Sequence, residues 1–211
     1  MSKVQSWGRY PYAPQDAHPI AWRDTAAAVW RSVGGAQRTT LAFGNGRSYG
    51  DSCLASSGHV VQTLPLDRLI LADWQNGVLR AEPGMTLEQI LDVAIPRGWM
   101  LPVTPGTKYA TLGGAIANDV HGKNHHVRGT FGRHVRRFAL LRSDGAQFEC
   151  TPDLHPEYFA ATIGGLGMTG LITWAEIQLM PITSEHARRH QHSLCQPRRV
   201  LRAVGTARRT A

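Results

Sequence analysis

The sequence predicts an α+β fold, in which strands and helices follow one another without regular alternation. Two observations support this class. Short apolar segments typical of strands occur throughout the chain, at 39–43, 59–64, 77–82, 135–142, 146–150 and 171–180. Helix-like segments separate some of these strands but not others. A third observation is the composition: with 42% hydrophobic and 18% charged residues, the 211-residue chain resembles a folded domain with a buried core.

The first expected element is an extended N-terminal arm over residues 1–20, which are rich in proline, tyrosine and small polar residues. A helix is expected over 24–34, where two glycines interrupt the pattern. The strand at 39–43 then runs directly into a glycine-rich loop.

A second helix is expected after Pro83-Gly84, because Thr86 and Gln89 have the spacing of a capping box. The apolar residues that follow are spaced as one buried helical face, namely Leu87, Ile90, Leu91 and Ala94.

The remaining elements follow in order. They are a helix of small residues at 111–121, a hairpin joining 135–142 to 146–150 through Asp144-Gly145, a short helix at 155–163 and a strand at 171–180 closed by Pro181. After Thr183 no apolar period continues. We therefore expect a domain over 21–183, followed by an Arg-rich tail over 184–211 that is disordered or non-native.

The net charge of +8 invites a nucleic-acid interpretation, but the charge is local. Residues 184–211 hold seven arginines and a single acid, whereas the rest of the chain is nearly neutral. The tail could be a nucleic-acid arm, a solvated tail or the product of a reading-frame shift, and the last two are favoured because the domain shows no basic stripe. Three scattered cysteines, no apolar N-terminal signal and no long apolar run predict a cytoplasmic protein.

The loop Gly44-Asn45-Gly46-Arg47-Ser48-Tyr49-Gly50-Asp51 is the strongest local signal. A strand that opens into such a turn can present several backbone N–H groups to an anion such as a phosphate. The glycine spacing matches neither a Walker A loop nor the dinucleotide fingerprint. A plain tight turn remains the alternative.

A true G-x-G-x-x-G pattern occurs at 165–170, but it follows a helix and precedes a strand. The nicotinamide-dinucleotide motif requires the reverse order. We expect a loop that makes backbone contacts to a ligand.

The segment 104–126 is the second dense region. Gly113 and Gly114 weaken a helix that Thr111 caps, which predicts that its exposed first-turn amides meet an anionic ligand. His121 and His125 are spaced like metal ligands, but Gly122 interrupts the helix and no acidic third ligand follows, so no metal is expected. His121 and Lys123 are candidates for an active site beside the anion.

Two segments together resemble the FAD-linked oxidases of the vanillyl-alcohol oxidase type, which have the PCMH fold. They are F-G-N-G-R-S-Y-G-D-S-C-L at 43–54 and T-P-G-T-K-Y-A-T-L-G-G-A-I-A-N-D-V-H-G-K-N-H-H from residue 104. Within that family the likeness is greatest to the flavin domain of decaprenylphosphoryl-ribose 2-oxidases, and it covers about residues 5–183. Sugar-lactone and alditol oxidases are more distant relatives.

The resemblance implies two α+β subdomains with FAD between them, and an oxidation of a sugar C–OH in which His121 and Lys123 line the active site. The implied FAD-binding residues are Gly44, Asn45, Gly46, Arg47, Ser48, Tyr49, Pro105, Gly106, Thr107, Thr111, Gly113, Gly114, Ala117, Asn118, His121 and Ile172. Covalent members carry histidine where this chain has Arg47, so the FAD is expected to be non-covalent. Other implications are a polyprenyl-phosphosugar or other sugar-phosphate substrate, membrane association through that substrate and a short-chain reductase partner.

These oxidases also need a substrate domain and a C-terminal return segment, for which the likeness gives no counterpart here. We therefore expect a truncated or frame-shifted chain without turnover. The alternatives are another FAD-linked sugar-lactone or alditol oxidase, a non-catalytic FAD-binding module, and a nucleic-acid binder that uses its tail.

Overall fold

The computed structural model describes residues 4–34 and 39–184. The expectation for the tail falls almost wholly outside these residues. Ten strands are described, namely β1 (Asp16–Pro19), β2 (Leu41–Phe43), β3 (His59–Gln62), β4 (Leu69–Asp73), β5 (Val78–Ala81), β6 (Trp99–Met100), β7 (Val135–Leu141), β8 (Gln147–Cys150), β9 (Leu171–Gln178) and β10 (Met180–Pro181). The helices are α1 (Ala26–Gly34), α2 (Leu87–Ala94), α3 (Leu112–Ala117), α4 (His125–Arg128) and α5 (Pro156–Thr162).

The strands form two main sheets. A small parallel sheet has the order β1-β3-β2, and a five-stranded antiparallel sheet has the order β4-β5-β9-β7-β8. Strands β6 and β10 pair separately. The mixed α and β content predicted from the sequence is confirmed, including the hairpin between β7 and β8. Strands β1, β4 and β6 and helix α4 were not predicted.

Helix α2 has the capping interactions and the buried face that its sequence predicts. The Thr86 hydroxyl accepts a hydrogen bond from the Gln89 amide, and the Gln89 side chain accepts one from the Thr86 amide, so the capping box is confirmed. Leu87, Ile90 and Ala94 are buried, as their spacing predicts.

Helix α3 is shorter than the predicted 111–121. It ends at Ala117, with Asn118 as its C-cap, and Asp119 has a φ of 40°, in the left-handed region. The chain therefore leaves the helix before His121.

Three apolar clusters hold these elements together. The largest lies between the five-stranded sheet and helices α2 and α3, and includes Leu79, Ile90, Ile116 and Phe138. A second cluster joins α1 to β3 and β9, and a third packs the N-terminal Val4 against Phe43 and Val60 of the parallel sheet. This packing holds the N-terminal arm next to the loop that follows β2.

Buried charge on the large sheet is paired. Glu176 is 4% exposed and accepts hydrogen bonds from Arg80 at 2.8 Å and Arg137 at 3.1 Å. Burial alone would raise the pKa of Glu176, but these hydrogen bonds outweigh burial and hold the pKa below its usual value. No helix in the described part of the chain has the length and apolarity needed to cross a bilayer.

Candidate functional site

A cavity of about 550 Å³ opens where the loop after β2 faces helix α3 and the start of β9. All sixteen residues that the sequence implicated in cofactor binding line this cavity, although they come from three separate stretches of chain. They are Gly44, Asn45, Gly46, Arg47, Ser48, Tyr49, Pro105, Gly106, Thr107, Thr111, Gly113, Gly114, Ala117, Asn118, His121 and Ile172. Lys123 is exposed and is not part of the lining.

The loop 44–49 is held tightly from both sides. A Cβ on Gly44 would lie 2.4 Å from the Thr111 hydroxyl oxygen. Gly46 has a φ of 60°, and a Cβ there would lie 2.3 Å from the backbone carbonyl oxygen of Gln5. Only glycine fits at either position without displacing a neighbour. The loop is therefore pinned between helix α3 and the N-terminal arm.

The backbone amides of this loop are available to a ligand. Within residues 4–34 and 39–184, no N–H group of 44–49 donates to a backbone carbonyl. The loop is instead fixed by other contacts: the Asn45 side chain donates to the Tyr109 carbonyl at 2.8 Å, and the Ser48 carbonyl accepts from the Trp7 amide at 2.9 Å. Such a fixed loop can bind an anionic oxygen through its backbone.

Arg47 adds a positive charge to the cavity wall. Its guanidinium carbon lies 5.3 Å from the ring centre of Trp7 and 5.7 Å from that of Tyr109, within cation–π range of both. Its Nε is buried and has no hydrogen-bond partner within the described part of the chain. Because a buried unpaired donor is costly, this atom is suited to donate to a ligand.

The N-terminus of α3 does not have the free amides that the sequence predicted. The Leu112 amide donates to Met85, the Gly113 amide to Pro83 and the Gly114 amide to the Thr111 hydroxyl. That prediction was wrong, because carbonyls of the segment before α2 and the side-chain cap already satisfy these amides. Gly113 has a packing reason instead, since a Cβ there would lie 2.8 Å from the Cβ of Pro83.

His121 lies in an isolated β-bridge with Thr130 and is exposed at the cavity wall. Its ring centre lies 5.4 Å from that of His125, whose Nδ1 is 3.0 Å from the Gly122 carbonyl oxygen. Within the described ranges no group of three or more His, Cys, Asp or Glu side chains could bind a metal.

Several lining residues were missed. Trp7 and Cys53 contribute through tertiary contacts, whereas Leu166 and Gly167 belong to the loop 165–170, which was expected to contact a ligand through its backbone but whose side chains were not considered. No local sequence signal marks Trp7, because the long-range Trp7–Ser48 hydrogen bond brings it to the cavity. Burial raises the pKa of the Cys53 thiol, which keeps it protonated at neutral pH.

These groups fit FAD, the cofactor that the resemblance implies. The close-packed glycines let a diphosphate approach the loop backbone. The loop amides and the Nε of Arg47, which have no acceptor among the described residues, can donate hydrogen bonds to its oxygens.

Comparison with known proteins agrees with this assignment. The chain is 38% identical over 183 residues to the decaprenylphosphoryl-beta-D-ribose oxidase of Mycolicibacterium smegmatis. The aligned region covers 85% of this chain and 39% of that protein. It is 28% identical over 136 residues to the Delta(24)-sterol reductase of Homo sapiens, and this alignment covers 64% of this chain and 25% of the reductase. It is 27% identical over 149 residues to a putative D-arabinono-1,4-lactone oxidase of Neurospora crassa, and this alignment covers 71% of this chain and 26% of the oxidase. The chain thus spans 39% or less of the length of these relatives.

A family model described as the FAD binding domain matches residues 22–151. The matched region is more than half of the chain, and it contains the loop 44–49, helix α3 and His121. The chain belongs to the FAD binding domain family.

Proposed function

We propose that this chain binds FAD non-covalently in the cavity and forms the flavin domain of an oxidoreductase that oxidises a sugar C–OH to a ketone. The observation that carries the proposal is the loop 44–49. Its residues line the cavity, its amides have no backbone acceptor among the described residues, and Gly44 and Gly46 leave no room for side chains. The name of the mycobacterial relative, a decaprenylphosphoryl-beta-D-ribose oxidase, supports a polyprenyl-phosphosugar as substrate.

In this function the loop 44–49 and Arg47 hold the diphosphate. Segment 105–118 and Ile172 line the space for the remaining parts of the dinucleotide. Bound FAD supplies the hydride acceptor for the reaction. His121, at the cavity wall, orients the sugar hydroxyl and can hold its proton. Lys123 is two residues further on and has no ion pair with a described residue. It contacts the anionic part of the substrate at the entrance.

The keto product of this reaction is a substrate for reduction at the same carbon. A short-chain reductase is therefore the enzymatic partner that we propose. A substrate with a polyprenyl chain would bring the protein to a membrane surface.

Non-covalent attachment is supported by Arg47, because a guanidinium group does not form a stable bond to a flavin ring. Precipitation of the holoprotein with acid should leave all flavin in the supernatant. Flavin that remains with the protein would contradict this part of the proposal, and would direct attention to His121, whose imidazole lines the cavity.

The direct test of cofactor binding is a titration of the purified chain with FAD, followed by the quenching of flavin fluorescence. Arg47→Met should weaken binding about tenfold or more, since it removes a charge-assisted hydrogen bond to the diphosphate. Arg97→Met is a matched control, because Arg97 also lies over a tryptophan, Trp74 at 5.1 Å, but does not line the cavity. Equal affinities for the two variants would argue against diphosphate binding at the loop.

Turnover is tested separately under anaerobic conditions with a decaprenylphosphoryl-ribose analogue and with an aldonolactone. Bleaching of the bound flavin by the first supports the proposed substrate class, and bleaching by the second alone would support a lactone oxidase, as in the name of the Neurospora relative. Bound FAD that neither compound reduces would support a non-catalytic FAD-binding module.

A further inference from the structure

The loop between α5 and β9 contains an unusual backbone conformation. Leu166 has a φ of 52°, in the left-handed region that aliphatic side chains rarely adopt. The described residues include three other non-glycine residues with positive φ, which are Arg9, Asp119 and His155. None of those three lines the cavity, whereas Leu166 does.

The loop is firmly held in this conformation. The Leu166 amide donates to the Ala117 carbonyl at 2.8 Å, and the Gly164 amide donates to the Ile116 carbonyl at 3.0 Å. The Thr162 and Thr169 hydroxyls are 2.9 Å apart and close the loop at its base. These contacts connect the loop to the C-terminal end of helix α3 and leave Leu166 little freedom to relax.

Packing within the protein does not compensate for the strain at Leu166. Leu166 is 40% exposed, and it belongs to none of the apolar clusters formed by the described residues. Asparagine or glycine would adopt the same backbone conformation at lower cost. Strain of this kind, held by the surrounding structure, is characteristic of ligand-binding sites.

We propose that Leu166 is a cofactor-contacting residue whose left-handed backbone places an aliphatic side chain against a planar ring of the bound dinucleotide. The inference rests on the proposed function, because the ligand is the same FAD. The strain is present in the chain without cofactor, and the apolar contact compensates for it when FAD binds. Leu166 therefore lowers the stability of the apoprotein and raises its affinity for FAD.

Leu166→Asn tests both effects. The variant removes the strain and the apolar side chain together, so the Tm of the apoprotein should rise by about 2–4 °C. The Kd for FAD should increase about tenfold, because the ring loses an apolar contact. Leu166→Met keeps an aliphatic chain at the same backbone position and should retain most of the affinity.

Met168→Asn is the matched control. Met168 lies on the same loop and is 79% exposed, but it does not line the cavity. Its replacement should change neither the Tm nor the Kd. Titrations with ADP and with flavin mononucleotide as separate probes then identify the ring, because the fragment that contains it loses affinity in Leu166→Asn.

Two results would overturn the inference. Unchanged affinity of Leu166→Asn for FAD, ADP and flavin mononucleotide would exclude the ring contact. A lower Tm of its apoprotein would mean that the leucine stabilises the fold by packing. A wild-type chain that does not bind FAD would contradict the proposed function and this inference together, whereas normal wild-type binding with either result above contradicts the inference alone.

Discussion

Replacing Gly46 by alanine is expected to damage the loop 44–49 far more than the same replacement at Gly50. Both residues have nearly the same left-handed backbone, with φ of 60° and 58°. They differ in their surroundings. A Cβ at Gly46 would lie 2.3 Å from the Gln5 carbonyl oxygen and 3.0 Å from the Phe43 ring, whereas a Cβ at Gly50 would have no atom of the described residues within 4 Å, its chain neighbours aside. The pair therefore separates backbone strain from steric displacement.

The cost at Gly50 is small. Placing alanine in the left-handed region costs about 1–2 kcal/mol, and the reduced entropy of the unfolded chain returns about 0.4–1 kcal/mol. Gly50→Ala should therefore destabilise the protein by about 1 kcal/mol.

Gly46→Ala has the same backbone cost and must also move the N-terminal arm away from the loop. That movement breaks the Trp7–Ser48 hydrogen bond and the Trp7–Arg47 stacking, each of which contributes about 1 kcal/mol. The total is about 3 kcal/mol. For a chain of this size, the Tm should fall by about 6–12 °C, against about 2–4 °C for Gly50→Ala.

Thermal unfolding followed by circular dichroism measures these shifts, and a flavin-fluorescence titration measures the accompanying loss of FAD affinity. We expect Gly46→Ala to lose affinity and Gly50→Ala to keep it. Equal Tm values and equal affinities for the two variants would refute the reasoning, because the arm would then not hold the loop in place.

Three further predictions follow from the described contacts. Because the pKa of Glu176 is lowered below its ordinary value of 4.5, the stability it contributes is present above that pH and is lost as the pH falls further. Glu176→Gln should cost about 2 kcal/mol at neutral pH and flatten the acid limb of a urea-unfolding series. Trp7→Ala should weaken FAD binding severalfold by releasing Arg47, while Trp7→Phe should largely preserve it in the same titration. Burial raises the pKa of Cys150 to about 11, so mass spectrometry should find it labelled by thiol reagents at neutral pH only after denaturation.

Local signals in the sequence predicted the elements that are stabilised locally. Helix α2 has its capping box and one apolar face, and the hairpin after β7 has an Asp-Gly turn, so each was found at nearly the observed position. Strand β1 has no such signal, because Asp16–Pro19 contains no β-branched or large apolar residue and is held in the sheet by pairing with β3. Strand β4 was missed although the Asn76-Gly77 turn before β5 could have indicated it.

In the candidate site too, features that depend on local sequence were predicted, and those that depend on distant residues were not. The two glycines of loop 44–49 predicted close backbone approach, and the structure gives both a steric reason, in Thr111 for Gly44 and in Gln5 for Gly46. The amides of helix α3 could not be judged from the sequence, since their acceptors include Met85 and Pro83 from an earlier segment of chain. Trp7 reaches the cavity through a hydrogen bond to Ser48, far along the chain, which no local spacing indicates.

The parallel pairing of β2 and β3 restricts how this site can vary in length. Parallel neighbours cannot be joined by a tight turn, so residues 44–58 form the crossover connection between the two strands and at the same time supply the loop 44–49. Cys53 and Ala55 anchor the far end of this connection in the apolar cluster that also contains Val4, Phe43 and Val60. The exposed residues 50–52 lie between the loop and that anchor. Insertions are therefore best tolerated at Gly50 and Asp51, since Ser52 already lines the cavity, and residues added there would leave the strand register and the loop 44–49 unchanged.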